Sequence, residues 1–150
     1  MSVERSALSV ESSAPRGRAV FLSYAHEDSD VARRIAEALR GEGIEVWFDE
    51  NALSGGDAWD ASIRRQIRDC ALFVPIISAR TQARKEGYFR LEWKLADERS
   101  HLIAEGEPFV LPVGADGTKE RDALVPKSFL NVQWTRIASG DSLGAFCERV

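Results

Sequence analysis

Among the 150 residues of this chain, Glu92 is the strongest candidate for a catalytic group. It lies four residues after Tyr88, so on a helix it sits beside an apolar stripe rather than opposite it. The residues predicted for that stripe are Tyr88, Leu91, Leu95, Ala96 and Leu102. A carboxylate crowded by aromatic residues such as Phe89 and Trp93 is a candidate for a functional group with a shifted pKa. On the pattern alone, a boundary glutamate held in a salt bridge is the favoured interpretation.

Three other segments contain residue types that occur in binding sites. The loop Asn51–Asp57 could bind a phosphate through its amides, but it lacks the Gly-Lys-Ser/Thr ending of a P-loop, so a connector is favoured. Glu27 and Asp28 resemble the acidic pocket of a receiver domain, yet the third predicted strand ends in Ser78 instead of a phosphoacceptor aspartate. His26 could act as an acid or base, although a solvated loop histidine is the favoured interpretation.

Composition excludes several classes of function. With 20 Lys and Arg against 24 Asp and Glu, the net charge is −4 and argues against a broad nucleic-acid surface. No apolar run approaches the ~20 residues of a membrane span, and Met1–Arg18 has no signal-peptide core, so we expect a cytoplasmic protein without membrane contact. His26, His101, Cys70 and Cys147 form no close cluster, so no metal site is expected. The two cysteines fit buried thiols better than a disulfide.

Short apolar runs and amphipathic segments alternate from Arg18 onward. The predicted strands are Ala19–Tyr24, Ile44–Phe48, Leu72–Ser78, Phe109–Val113 and Asn131–Trp134. Helical spacing predicts helices through Val31–Leu39, Trp59–Ile67, Tyr88–Ile103 and from Asp141 to the end of the sequence. Pro75 cannot donate to a ladder, so a bulge or an irregular ladder is expected in the third strand.

This alternation predicts an α/β fold with a central five-stranded parallel sheet flanked by helices. Ligands on such sheets bind at the carboxyl ends of the strands. Residues 1–16 show no periodic pattern and are expected to form a flexible N-terminal tail. Residues 17–150 form one predicted domain, which could be the N-terminal part of a longer protein.

In order along the chain, the segments resemble a Toll/interleukin receptor (TIR) domain of the bacterial type. The first half contributes Val20-Phe21-Leu22-Ser23-Tyr24, Val46-Trp47-Phe48-Asp49, Leu53-Ser54-Gly55-Gly56 and Trp59-Asp60-Ala61-Ser62-Ile63. The second half contributes Phe73-Val74-Pro75-Ile76-Ile77-Ser78, Tyr88-Phe89-Arg90-Leu91-Glu92-Trp93 and Val110-Leu111-Pro112-Val113. Each piece is weak alone, but together and in register they cover the chain from about Gly17 onward and imply the flavodoxin-like TIR fold.

The resemblance implies one of two functions. Some TIR domains are scaffolds that act through TIR–TIR contacts, and others cleave NAD+ at the nicotinamide–ribose bond. The enzymatic members carry a glutamate in the long helix, usually with Trp four residues earlier. Glu92 matches that glutamate, whereas Tyr88 stands at the Trp position. The resemblance therefore implies that Glu92 is catalytic, with NAD+ as substrate and no cofactor.

Further site residues follow from the same resemblance. It implies substrate contacts from the ends of the first three strands and from the start of the long helix, namely Tyr24, Ala25, His26, Trp47, Phe48, Asp49, Ser78 and Tyr88. It also implies an assembly loop, Leu53, Ser54, Gly55 and Gly56, which contacts a neighbouring protomer and gates the site.

The expected activity is that of an NAD+ glycohydrolase, giving nicotinamide and ADP-ribose or a cyclic variant. It would be activated by self-assembly and used in bacterial immune signalling against phage, with a sensor domain or partner beyond the C-terminus. The alternative is a non-catalytic TIR interaction module, which has no need of Glu92 in its surroundings. A transferase of ADP-ribose, or an enzyme acting on nucleic acid, is a further alternative, and the acidic pI of about 5.3 counts against nucleic acid.

Overall fold

Five parallel strands form a single sheet at the centre of the molecule. A computed structural model describes residues 19–48, 57–137 and 150, except for the side chains of 57–60. The strands are β1 (Val20–Ser23), β2 (Val46–Trp47), β3 (Leu72–Ile77), β4 (Val113–Gly114) and β5 (Thr135–Arg136). Their order in the sheet is β2-β1-β3-β4-β5, and every neighbouring pair is parallel. This is the flavodoxin-like order, in which the switch point lies between β1 and β3, and it confirms the predicted fold class.

Helices cover both faces of the sheet. They are α1 (Ser29–Gly41), α2 (Asp57–Asp69), α3 (Ala79–Ala83), α4 (Tyr88–Ser100) and α5 (Lys127–Leu130). Single 3₁₀ turns at His26–Asp28 and Glu120–Asp122 add to these. Three segments named in the sequence analysis lie outside the described residues: 1–16, 49–56 and the helix expected from Asp141. Of that helix, Val150 alone is described.

The core has two halves because the β1 and β3 side chains alternate between the faces of the sheet. Val20, Leu22 and Val74 pack with α1 on one face. Phe21 and Phe73 face the other side, where their rings stack 5.4 Å apart beneath α2 and α4. Cys70 is buried in this second half, and burial raises the pKa of its thiol to about 12, which keeps it protonated. This confirms the buried thiol for Cys70, while Cys147 lies outside the described residues.

Pro75 interrupts the ladder between β3 and β4 without breaking the strand. The Phe73 amide donates to the Phe109 carbonyl at 2.8 Å, and the Phe73 carbonyl accepts from the Leu111 amide at 2.9 Å. Pro75, two residues on, directs its nitrogen to the same neighbour but has no hydrogen to donate. Pairing resumes at Ile76 with Val113 in the register set by the Phe73–Val110 bridge. The expected irregular ladder is thus confirmed, as an interruption rather than a bulge.

Several predicted boundaries need correction. The strand expected at Asn131–Trp134 is wrong: α5 ends at Leu130, and β5 is Thr135–Arg136. Trp134 is buried instead as an anchor, since its indole N–H donates to the Phe129 carbonyl at 2.8 Å. The segment expected at Phe109–Val113 forms an isolated bridge at Val110, and the strand itself is Val113–Gly114. The long helix ends at Ser100 rather than Ile103.

Candidate active site

Glu92 lies at the centre of the buried face of α4, not beside it. The buried residues of this helix are Phe89, Glu92, Trp93 and Ala96, which have the i, i+3, i+4, i+7 spacing of one helical face. The predicted stripe is therefore rotated from the true one. Its member Ala96 does lie on the buried face, whereas Tyr88 is 44% exposed and Leu102 lies past the end of the helix and is 88% exposed. The two large rings decide the orientation because they bury the most apolar area.

One hydrogen bond connects Glu92 to β1, beside the central strand β3. The Ser23 hydroxyl, at the end of β1, donates to Glu92 Oε1 at 2.6 Å. Ser23 is completely buried and Glu92 is 9% exposed, so the pair sits at the base of the site with little water around it. A short bond between a hydroxyl and a carboxylate is among the stronger hydrogen bonds in proteins.

Burial raises the pKa of Glu92 to about 7, and the hydrogen bond from Ser23 opposes that rise. The cause is the cost of placing a negative charge among Phe89, Trp93 and the sheet, away from water. The salt bridge considered for a boundary glutamate is not what holds it, since within the described part of the chain no ion pair includes Glu92. A carboxyl group that titrates near neutral pH is typical of a functional site.

The pair lies next to the switch point of the sheet. β1 contacts β3 along its whole length, and Ser23 is in register with Pro75. After Ser23 the chain continues through Tyr24 and the buried Ala25 into the 3₁₀ turn that begins at the exposed His26. The carboxyl end of a strand at a switch point is where open α/β sheets bind ligands.

The remaining predicted substrate contacts lie around this edge. The rings of Tyr24 and Phe48 are 5.2 Å apart on the α1 side of the sheet. Trp47 packs on the α4 side, in the same half of the core as Phe89 and Trp93. Tyr88 begins α4 one turn before Glu92, on the same side of the helix, and is 44% exposed. Asp49 and the loop Leu53, Ser54, Gly55 and Gly56 are outside the described residues.

Ser78 has structural partners for its hydroxyl. It is the N-cap of α3, where its oxygen accepts from the amides of Arg80 and Thr81 in a capping box. The same hydroxyl donates to Asp28 Oδ2 at 2.6 Å, and the other oxygen of Asp28 accepts from Arg80 at 3.0 Å. Ser78 and Asp28 are both buried, so this cluster fastens the ends of β1 and β3. The role of Ser78 toward a substrate stays a prediction.

Two residues of this edge escaped sequence reasoning. The sequence pattern places Ser23 at the end of an apolar strand and gives it no partner. Its place two residues after Phe21 puts both side chains on the α4 side. The sequence suggests Asp28 only as part of a receiver-like acidic pocket, yet its carboxylate is buried and paired with Arg80. A serine inside an otherwise apolar, buried run was the available signal for Ser23.

Among residues 19–48 and 57–137, no group of three or more His, Cys, Asp or Glu side chains could hold a metal ion. No helix in the described part of the chain is long and apolar enough to cross a membrane.

Comparison with known proteins gives curated relatives of modest identity. NAD(+) hydrolase TcpA of Theionarchaea archaeon (strain DG-70-1) is 32% identical over 129 residues, which are 83% of this chain and 36% of the relative. The 2' cyclic ADP-D-ribose synthase BtTIR of Bacteroides thetaiotaomicron is 33% identical over 67% of this chain and 33% of its own length. NAD(+) hydrolase PdTIR of Paracoccus denitrificans (strain Pd 1222) is 29% identical, over 69% of this chain and 33% of the relative. The chain thus spans about a third of each relative.

A solved structure and a family model agree on the fold. The TIR domains of the activated Roq1 resistosome, which directly recognises the pathogen effector XopQ, superpose with a TM-score of 0.68 at 14% identity, covering 89% of this chain and 99% of that one. The TIR domain model, TIR_2, matches residues 20–148, which is most of the sequence. The chain belongs to the TIR domain family.

Proposed function

We propose that this domain cleaves the nicotinamide–ribose bond of NAD+, with Glu92 as the catalytic residue. The observation that carries the proposal is the buried Glu92, held by Ser23 beside the switch point of the sheet. The printed names of three relatives, two NAD(+) hydrolases and a 2' cyclic ADP-D-ribose synthase, support NAD+ as the substrate.

The chemistry needs one carboxylate and no general acid. When the bond between C1′ of the ribose and the pyridinium nitrogen breaks, its electron pair leaves with nicotinamide, which becomes neutral. The ribose develops oxocarbenium character, and the negative charge of Glu92 stabilises it or holds the ribose hydroxyls. Attack on C1′ by water gives ADP-ribose, and attack by a hydroxyl of the same molecule gives a cyclic product. NAD+ is consumed as a substrate, so no cofactor is required.

Only the ionised Glu92 can supply that charge. Because its pKa is raised to about 7, the carboxylate fraction grows as pH rises through neutrality. We therefore expect kcat/KM to fall on the acid side with a midpoint near pH 7, as a pH profile of NAD+ cleavage would measure.

Tyr88 is proposed to stack on a ring of the substrate. Tyr88 lies one turn before Glu92 on the same side of α4 and its side chain is 44% exposed, which places its ring at the mouth of the proposed site. We expect Tyr88→Ala to lower kcat/KM about tenfold or more, because an aromatic stack contributes roughly 1–3 kcal/mol. Tyr88→Phe and Tyr88→Trp should keep most of the activity. Equal losses in all three variants would contradict stacking.

The loop Leu53, Ser54, Gly55 and Gly56 is proposed to contact a second copy of the domain and to order the site. We expect Gly55→Pro to weaken self-association and NAD+ cleavage while leaving Tm close to that of the wild type, since proline restricts the loop backbone. Sedimentation at high protein concentration measures the first effect. Gly41→Ala is a matched control, because a Cβ at Gly41 has no neighbour within 4 Å. Unchanged assembly and turnover in Gly55→Pro would count against the loop's role.

The wider context is also proposed rather than established. We place the domain, residues 17–150, in the cytoplasm as an effector of antiphage immunity. A sensor domain or partner beyond the C-terminus would trigger assembly. The non-catalytic scaffold remains the competing function, and only the substitution of Tyr88 for the usual Trp favours it.

The test is product analysis after incubation of the purified domain with NAD+. Chromatography that separates nicotinamide, ADP-ribose and cyclic ADP-ribose decides both the activity and the product. A domain that is silent alone should become active when many copies are brought together on a scaffold. Intact NAD+ under both conditions would favour the interaction module.

A further inference from the structure

Ser23 is the residue whose position the proposed chemistry leaves unexplained. It is fully buried on the central part of the sheet, where β1 pairs with β2 on one side and β3 on the other. Its hydroxyl, on β1, donates a hydrogen bond of 2.6 Å to Oε1 of Glu92 on α4. A hydroxyl has a single proton, so this donation commits it to the carboxylate.

We propose that Ser23 is a positioning residue for the cleavage of NAD+: from a rigid strand its hydroxyl fixes the Glu92 carboxylate, occupies Oε1 and leaves Oε2 to face the ribose. The proposal rests on the function proposed above for Glu92. Within the described part of the chain, the carboxylate of Glu92 accepts its one side-chain hydrogen bond from Ser23. The orientation of the carboxylate therefore depends on this contact and on the packing of the neighbouring rings.

The same bond favours the charged form of Glu92. A hydroxyl that donates to a carboxylate stabilises the anion and opposes the effect of burial. α4 packs against α2, α5 and β1, and β1 carries no charged residue. The charged residues of the other two elements with described side chains are Arg64, Arg65, Arg68, Asp69 and Lys127, and none of them contributes to the shift at Glu92. The side chains of Asp57 and Asp60 at the start of α2 lie outside the described set.

Ser23→Ala removes the donor and adds no bulk. We expect the acid limb of kcat/KM to move upward by about one pH unit or more, because the donated hydrogen bond stabilises the charged form of the carboxyl group. Activity at pH 7 should fall about fivefold or more, because the ionised fraction drops from about one half to about one eleventh for a shift of about one pH unit, and it should recover near pH 9. A purely structural role would lower activity equally at every pH.

A carboxyl titration by ¹³C NMR gives a readout that does not need turnover. The Glu92 signal should titrate at higher pH in Ser23→Ala than in the wild type. Ser23→Cys keeps nearly the same volume with a weaker donor, so its shift should lie between the two. It also serves if the alanine variant fails to fold.

Ser128→Ala is the matched control. Ser128 donates to Asp97 Oδ1 at 2.6 Å, so it makes the same kind of bond to the same helix but not to Glu92. We expect its acid limb and its Glu92 titration to match the wild type. An unchanged Glu92 titration and acid limb in both Ser23 variants would overturn the proposal. If the clustered wild type leaves NAD+ intact, or Glu92→Gln cleaves it fully, the proposed function itself fails, whatever the titration shows.

Discussion

Glu92→Ala is expected to lower the rate of NAD+ cleavage by on the order of 10²–10³-fold or more, while the domain stays folded. The reason is the loss of the buried carboxylate that accepts from Ser23 at the carboxyl end of β1, in a site where little water remains to replace its charge. Removal of a key electrostatic group in such a site typically costs this much. The measurement is the initial rate of NAD+ consumption at saturating substrate, with circular dichroism as the check on folding.

Glu98→Ala is the control for this substitution. Glu98 lies on the exposed side of the same helix, so the change removes an equal charge from α4 without touching the buried face. We expect it to retain wild-type turnover. If Glu92→Ala kept full activity, the catalytic assignment would be wrong.

The second large effect concerns stability and its dependence on pH. Glu92 has an ordinary pKa near 4.5 in the unfolded chain and about 7 in the folded domain. Between these values the folded state binds more protons, so the free energy of unfolding falls as pH rises from 4.5 through 7. From pH 5 to pH 8.5 the wild type should lose up to about 3 kcal/mol from this residue.

Glu92→Gln should abolish that part of the pH dependence. Its amide keeps the shape and accepts from Ser23 but does not titrate, so its unfolding free energy should vary less with pH than that of the wild type. Urea unfolding at pH 5, 7 and 8.5 measures the difference between the two slopes. Glu98→Gln should follow the wild type, and parallel curves for Glu92→Gln and the wild type would contradict the raised pKa.

A free energy of unfolding that falls with pH in this way would mean that the ionised Glu92 needed for catalysis destabilises the folded domain. A carboxylate buried beside Phe89 and Trp93 is destabilising once it ionises, and a glutamate retained there is best explained by function. The alternative function, a non-catalytic interaction module, offers no reason for a buried carboxylate at this position.

The sequence predicted the fold through its longest and most regular patterns. The uninterrupted apolar run of β1 and the Val31–Leu39 periodicity of α1 each indicated one structure because burial and local propensity agree there. β5 was misplaced because Trp134 is apolar but serves as an anchor for the turn after α5, and only the three-dimensional packing distinguishes these uses.

The candidate site was predictable only in part. Glu92 was identifiable because a carboxylate among aromatic residues is unusual. The prediction of which face of α4 is buried was wrong, because the residues of the stripe through Leu91 and Leu95 have the same helical spacing as the truly buried ones. Ser23 and Asp28 could not be assigned partners from the sequence. Ser23 binds Glu92, 69 positions away, and Asp28 binds Arg80, 52 positions away. Contacts of that range come from topology rather than from local pattern.

The most direct test of the central claim is the release of nicotinamide at pH 8 by wild-type domain clustered on a scaffold, beside Glu92→Gln treated identically. At that pH most of the wild-type Glu92 is ionised, given a pKa of about 7. The account predicts steady release by the wild type and a rate at least about 10²-fold lower in the variant. Equal release by both proteins, or none from the clustered wild type, would contradict it.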